Sequence, residues 1–581
     1  MNFDDLSLRL IDERQPVTIF KADKVVTMDS ERPCAEAVAV QHGTIVGVGE
    51  LSRMEVLLQR HRISYHVDVK FQRHVIYPGF SEHHMHPHIL GANLTGAHYV
   101  GYVDRIDAEG GRLPGIRSKE ALITRLKELI EQDRPRLEGP GTNWLNCWGF
   151  DPLLLGNIDV SRQVLDEVST EFPICLGHAS GHVINLNSLA IDISGYDTLP
   201  DDPNLPRDRD GRVTGTINEP PMMAHAIAKG AGQLDFSVEG LVEAGRVATR
   251  VARLKGCTSI TDKGANFPLT PGDNASRAWI EADSRGLLST RVNLEVWYST
   301  AELWQHDGHR GWEAIRALRS EKRPYLSVGN LKLFADGSIQ GFTANMLPDQ
   351  PYVTAGKDNG QLLLSQDEVA EQIRLGEANG MSCSIHTNGN GATESVLQAI
   401  EQLRERQPNL GFRHSLEHCQ LATENQFYRM AQCDVTPNLF ANHIYYWGDV
   451  HVEYTVGEHL ARRMDACRSA TRHGLRHGIH SDDMVTEVSP LFSAWCAVNR
   501  RTLSGRVLGE DQCLSVDEAM RVITCNHAWL AHQEDVRGSI EVGKWADFTV
   551  LEEEATEDKR ERLKDLRIIG TVINGDDILI N

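Results

Sequence analysis

No stretch of this sequence approaches the roughly 20 consecutive apolar residues that span a bilayer, and the opening segment, Met1 to Arg14, mixes charges without a continuous apolar run. Both a membrane span and secretion by a signal peptide are disfavoured on that ground. Cysteine pairing is missing too. The 11 cysteines, an odd number, are scattered from Cys34 to Cys525 with no C-x-x-C pair, so neither a disulfide framework nor a Cys-based zinc cluster is indicated and a cytoplasmic location is expected. Positive charge is in deficit: 59 Lys plus Arg stand against 81 Asp plus Glu, a net charge of −22. Such a chain repels phosphate backbones and anionic lipid, and neither nucleic acid nor a membrane is an expected partner. There is no internal repeat and no low-complexity tract.

What is present is an ordinary globular composition, 581 residues with 41% hydrophobic and 24% charged, enough to bury a substantial core. Val17 to Gly49 reads VTIFKADKVVTM, a Pro-containing turn, then AEAVAVQHGTIVGVG, a β-branched, short-period texture. The same texture returns in GSIEVGKWADFTVL (538–551) and IIGTVINGDDILI (568–580), so the two chain ends are expected to share one domain. Between them apolar strand-like runs alternate with amphipathic helices, the pattern of a mainly parallel sheet or barrel. In one such unit Ser365 and Glu368 form a capping box, Asn379-Gly380 stops the helix, and MSCSIH (381–386) follows as a buried strand ending on a histidine. Ionisable residues recur at the downstream ends of apolar runs in LKLFADG, RHSLEHC and GLRHGIHSDD, and on a barrel that end is the catalytic face. From about Thr95 to Leu234 the rhythm breaks into Pro-rich and Asp-rich turns, with an amphipathic helix around Leu122 to Ile130. This reads as an insertion covering the active site.

The chemistry starts at YPGFSEHHMHPH, Tyr77 to His88. Alternate residues of a strand share a face, so His84 and His86 can grip one metal together. With 25 histidines, roughly one H-x-H is expected from composition, so the motif alone is weak. His386 in SIHTNG, His418 in RHSLEH and Asp482 in HGIHSDD also fall at strand ends. A lone histidine there is more often a satisfied core residue than a ligand. Four strand ends meeting on one barrel face change that balance, because a barrel gathers ligands from successive strands.

The order PGF-x-acidic-x-His-x-His, LKLFADGSIQ, IHTNGNGA, RHSLEHCQL and a strand-end Ser-Asp before a proline closely resembles the amidohydrolase superfamily, in particular the branch containing N-substituted formamide deformylase. The likeness extends to WGFDPLLL, GHVINLNSLA, DGRVTGTINE, YYWGD and GSIEVGKWADFTVL, nearly the whole chain. It implies an α/β fold: a (β/α)8 TIM-like barrel over 78–529, a small β-sandwich domain from 1–77 and 530–581, and a large insertion over 95–235 after the first barrel strand. It further implies one or two divalent ions, zinc above all, per subunit. His84 and His86 would bind the more buried metal, His386 and His418 a second, and Asp482 the metal and its water. Lys332 would stand where many relatives carry a carboxylated lysine; it either takes that modification, or pairs with a carboxylate such as Asp336, and Lys263 is a rival for the same role. Glu82 replaces the family's usual aspartate and is expected to support the site from behind, whereas Asp483 replaces a bulky aromatic and is expected to add an acidic group near the mouth.

The mechanism implied is hydrolysis by metal-activated water, with Asp482 shuttling the proton. His443, Tyr445, Tyr446 and Trp447 of NHIYYWGD are expected to line the substrate pocket, joined by Trp148, Phe150 and His182 of the insertion, although aromatic packing between insertion and barrel explains the tryptophans equally well. Arg413 and Glu417 are expected to form a structural pair around His418. The expected substrate is a small N-substituted amide or formamide. A cyclic imide, lactam or amidine hydrolase, or a deaminase, is the alternative, and an inactive metal-binding scaffold the third reading. A homodimer is expected, the commonest assembly of soluble homo-oligomers.

Overall fold

A computed structural model describes residues 6–580 apart from 142, 233, 269, 355 and 357. Among the described residues, eight parallel strands form one sheet in sequential order. They are β1 (Phe80–Met85), β2 (Cys257–Ala265), β3 (Arg291–Trp297), β4 (Leu326–Phe334), β5 (Cys383–Thr387), β6 (Ser415–His418), β7 (Thr436–Leu439) and β8 (Gly478–Ile479). The two edges meet where Met85 bridges Asp483 in parallel and Ser481 N donates to Glu82 Oε2 at 3.1 Å. The sheet thereby closes into a barrel. All nine positions of β2 are buried although it carries Asp262 and Lys263: Lys263 pairs with Glu295 and Glu417 on other strands, while Asp262 accepts from Trp279 Nε1 of the helix Asn274–Ser284 at 2.8 Å. The Ser365–Glu368 capping box opens the helix Gln366–Ala378, and Gly380, at φ +71°, ends it.

Both chain ends build one eight-stranded mixed sheet. Its seam pairs Val75–Pro78 with Phe548–Leu551 in antiparallel register, Phe548 opposite Pro78. The alternation along Val17–Val26 gives each face its own core: Phe20 and Val25 join Phe71, Ile76 and Phe548 on one side, while Val17 and Ile19 pack with Met54 and Leu58 of the helix Leu51–Arg60 on the other. Gly79 leads directly from this sheet into β1. A Cβ there would lie 2.0 Å from Thr258 Oγ1, so only glycine lets the two domains join so closely.

The insertion is more ordered than its turn-rich sequence suggests. It holds a five-stranded sheet in the order Thr216–Asn218, Val183–Leu186, Ile174–His178, Leu145–Phe150, His98–Tyr99, with separate apolar clusters built around Leu145 and around Trp144. The helix expected near Leu122 spans Lys119–Leu137. Among the described residues no helix is long and apolar enough to cross a membrane.

Candidate metal centre

Five strands of the barrel deliver polar side chains to one end. His84 lies on β1 and His86 just beyond it, Lys332 on β4, His386 on β5, His418 at the end of β6, and Asp482 just past β8. His418 at φ +68° and Asp482 at φ +52° hold left-handed backbone conformations that non-glycine residues adopt at a cost, a feature that clusters at functional sites. The six residues line a single cavity. Asp482 Oδ1 stands 3.4 Å from both His84 Nε2 and His86 Nε2, and Asp482 Oδ2 stands 3.8 Å from His418 Nδ1. The rings of His386 and His418 are 4.5 Å apart.

One member escaped the sequence reading. His480, just past β8, stacks on His84 at 4.5 Å, and His84, His418 and His480 offer ligand atoms that lie within 4.8 Å of one another, as do His84, His86 and Asp482. Its only signal was its position two residues before Asp482, on the same face of an extended segment.

Groups behind the cluster fix its orientation. His84 Nδ1 lies 2.7 Å from Glu417 Oε2, a contact that places the proton on Nδ1 and leaves Nε2 as a free donor of electrons. Glu417 also accepts from Lys263 Nζ at 3.1 Å and Asn438 Nδ2 at 2.7 Å. Burial opposes ionisation of Glu417, but Lys263 and Lys332 outweigh it and hold its carboxyl well below the carboxylate range. His386 Nδ1 is 3.1 Å from Asp336 Oδ1, and Asp336 further accepts from the backbone N–H groups of Asn388, Gly389 and Asn345. Glu82 accepts from Ser481 Oγ at 2.7 Å and from His84 N at 3.0 Å, tying β1 to β8; burial pushes it up to about 8.

The two lysines differ sharply. Lys263 is held between Glu295, at 2.7 Å, and Glu417, and those carboxylates raise it against the pull of burial. Lys332 Nζ is fully buried without a hydrogen-bond partner among the described residues, and burial brings it down to about 8. Its expected alternative partner, Asp336, is committed to His386 and three amides, so that pairing does not form.

The donor set fits a divalent cation. His418 Nδ1, both ring nitrogens of His480, Asp482 Oδ1 and Lys332 Nζ are all buried with no hydrogen-bond partner among the described residues, whereas buried polar atoms are normally satisfied. Burial pulls His84, His386 and His418 well below the ordinary imidazole value, and His480 to about 4. Neutral imidazoles beside a carboxylate are zinc-type ligands.

The cavity above this floor has a volume of about 550 Å³ and is roofed by the insertion. Trp148 and His182 line it, but His443, Tyr445, Tyr446 and Trp447 are not among its walls. They sit on the helix Asn442–Val450, where His443 Nδ1 meets His451 Nε2 at 3.1 Å, Trp447 Nε1 donates to Asp151 Oδ2 at 2.6 Å, and both tyrosines pack on Phe492. Phe150 joins the core of the insertion. The aromatic wall is made instead by Phe236, Phe267, Trp297 and Phe334, which ordinary apolar runs of the sequence had concealed. Asp483 is not at the mouth: it is fully buried, ion-paired with Arg105 of the insertion, and accepts from Val488 N at 2.8 Å. Arg413 turns away from Glu417 to Glu534, at 2.7 Å.

Comparisons with known proteins agree with this architecture. The profile of the amidohydrolase family matches residues 74–577. The chain is 26% identical to YtcJ of Bacillus subtilis (strain 168) over 95% of its own length and 97% of that protein. It is equally 26% identical to N-substituted formamide deformylase of Arthrobacter pascens, covering 95% and 96% of the two chains. An uncharacterized metal-dependent hydrolase from Pyrococcus horikoshii OT3 shares the fold with a TM-score of 0.69 at 21% identity, over 93% of this chain and 98% of that one.

Proposed function

The chain belongs to the amidohydrolase family of metal-dependent hydrolases, and from that premise we propose that it hydrolyses the C–N bond of a small N-substituted amide or formamide. The observation that carries this reading is the cluster of partnerless buried atoms on His418, His480, Asp482 and Lys332. Each unmet polar atom costs about 1–3 kcal/mol, a cost that a bound cation removes for the imidazole nitrogen or carboxylate oxygen that faces it, whereas the Lys332 amine becomes a ligand only once carboxylated. His84, His86, His418, His480 and Asp482 are the residues that would hold one ion, with His386 and Lys332 placed for a second. Zinc suits imidazole and carboxylate donors. A cation there supplies Lewis acidity and lowers the pKa of water towards about 7.

The chain's own groups do the remaining work. Asp482 takes the proton that water gives up as its oxygen attacks the carbonyl carbon. Lys332, with its amine free of partners, is the site for reaction with carbon dioxide, whereas Lys263 is locked by two carboxylates. Trp148, Trp297 and Phe334 favour a substrate with an apolar N-substituent. The similarity to N-substituted formamide deformylase supports the same class.

Elemental analysis of the purified protein tests the reading, coupled with assays on formanilides, lactams and aminopurines before chelation, after it, and after zinc is restored. Bound metal, with an acid and an amine released from the formanilides in a zinc-dependent manner, is expected. Ammonia released without a second organic fragment would move the assignment to deamination, and a chain that neither holds metal nor responds to it would sink the proposal.

A further inference from the structure

The roof of the cavity carries an ionisable pair that the chemistry above leaves unused. His182 and Glu219 are brought together because the strands Val183–Leu186 and Thr216–Asn218 are antiparallel neighbours, Val183 opposite Asn218. Glu219 N donates to His182 O at 2.7 Å, and His182 Nδ1 lies 3.0 Å from Glu219 Oε2. Glu219 adopts φ +62°, ψ 141°, a region that non-glycine residues rarely visit and that needs the surrounding structure to enforce it. The ring of His182 stacks on Phe334 at 5.9 Å, and Phe334 stacks on His386 at 3.9 Å. One phenyl ring thus separates the pair from the metal cluster. Both residues line the cavity. With Nδ1 committed to Glu219, Nε2 is the nitrogen left for a ligand.

We infer that His182, oriented by Glu219, is the proton donor to the departing nitrogen of the substrate, an assignment that rests on the amide-hydrolase reading above. An amide nitrogen leaves poorly as an anion, so a donor must reach it as the C–N bond breaks. Asp482 lies on the floor beside the metal ligands, while His182 approaches from the roof. Water's oxygen bonds to the carbonyl carbon and its proton goes to Asp482. The C–N bond breaks, its electron pair stays on nitrogen, and the proton from His182 Nε2 completes the neutral amine. Neutral His182 then regains a proton from solvent, and Asp482 releases its own, leaving an acid and an amine from one amide and one water.

Electrostatics support this division of labour. Burial alone would pull the His182 imidazole down, but Glu219, with Asp482 and Asp336 further off, raises it above its ordinary value. Glu219, although buried, is held below its ordinary value chiefly by His182. His182 and Glu219 thus favour each other's charged forms, which suits the imidazole to donating a proton.

The test uses the zinc-loaded full chain and its His182→Gln and Glu219→Gln variants on a series of formamides and acyl anilides whose leaving groups run from alkylamine to nitroaniline. His182→Gln is expected to lose about 10²-fold or more in kcat with the alkylamine substrate and far less with the nitroanilide, which needs no protonation. Metal content and melting temperature should match the wild type. Glu219→Gln keeps the size of the side chain but not its charge, and should show the same leaving-group dependence at smaller amplitude; it carries the test alone if His182→Gln does not fold. A uniform loss across the series, or none, overturns the donor role and leaves the hydrolase reading standing. A metal-loaded wild type that cleaves no member of the series overturns both.

Discussion

Phe440 divides two buried histidine clusters of opposite character. Its ring lies 5.8 Å from His418 and 4.7 Å from His480 on one side, and 4.6 Å from His443 on the other. Beyond His443 the polar atoms find each other: His443 Nδ1 meets His451 Nε2, His451 Nδ1 meets Thr455 Oγ1 at 2.7 Å, and Trp447 Nε1 reaches Asp151. On the other side His418 Nδ1 and both ring nitrogens of His480 have no such partners among the described residues. Burial and residue type are alike in the two clusters, so neither identifies a ligand. Unmet bonding capacity that converges from several residues on one point does, because buried polar atoms are normally satisfied.

The sharpest way to break this comparison is to alter one residue on each side. Asp482→Asn keeps shape but cannot take up a proton as a carboxylate does, so kcat should fall by about 10²–10⁴-fold while the melting temperature stays near the wild-type value. If activity survives, the partnerless cluster is not the reacting one. Trp447→Phe leaves the buried Asp151 carboxyl without its indole donor, a loss of about 1–3 kcal/mol that thermal or denaturant unfolding would show. Its kcat should be unchanged. A collapse of kcat at full stability would instead return the Asn442–Val450 helix to the substrate site, where sequence reasoning had put it.

That misplacement shows how far the sequence could be read. His84 and His86 were legible because strand periodicity puts alternate residues on one face, and His386 and His418 because both end apolar runs. The aromatic residues from His443 to Trp447 were not, because direction is invisible in a motif: the helix takes its indole to Asp151, 296 residues earlier in the chain. Asp483 was misjudged for the same reason, its partner Arg105 lying 378 residues away. The insertion read as turns because its strands are short and Leu145–Phe150 is buried at every position, which erases the alternation that signals a half-exposed strand. The chain ends were easier, since β-branched texture at both termini survives without knowledge of contacts.

The smallest effect sharpens the comparison through pH. Burial pushes Asp151 up from 3.8 to about 6, against the opposing hydrogen bonds from Trp447 and Leu153. Between those two values the folded chain holds a proton that the unfolded chain has released. The contribution of Asp151 to stability is therefore fully present below about pH 4 and is lost as pH rises through about 6, a swing of about 3 kcal/mol at most. Asp151→Asn cannot titrate, yet its amide oxygen can still accept from Trp447 Nε1. The difference in unfolding free energy between variant and wild type cancels the other titrating groups, and it should move in the variant's favour from about pH 4 to about pH 8. A difference that stays flat over that range would mean that Asp151 is ionised throughout in the folded chain, and that the cluster beyond Phe440 holds a charge that its hydrogen bonds alone sustain.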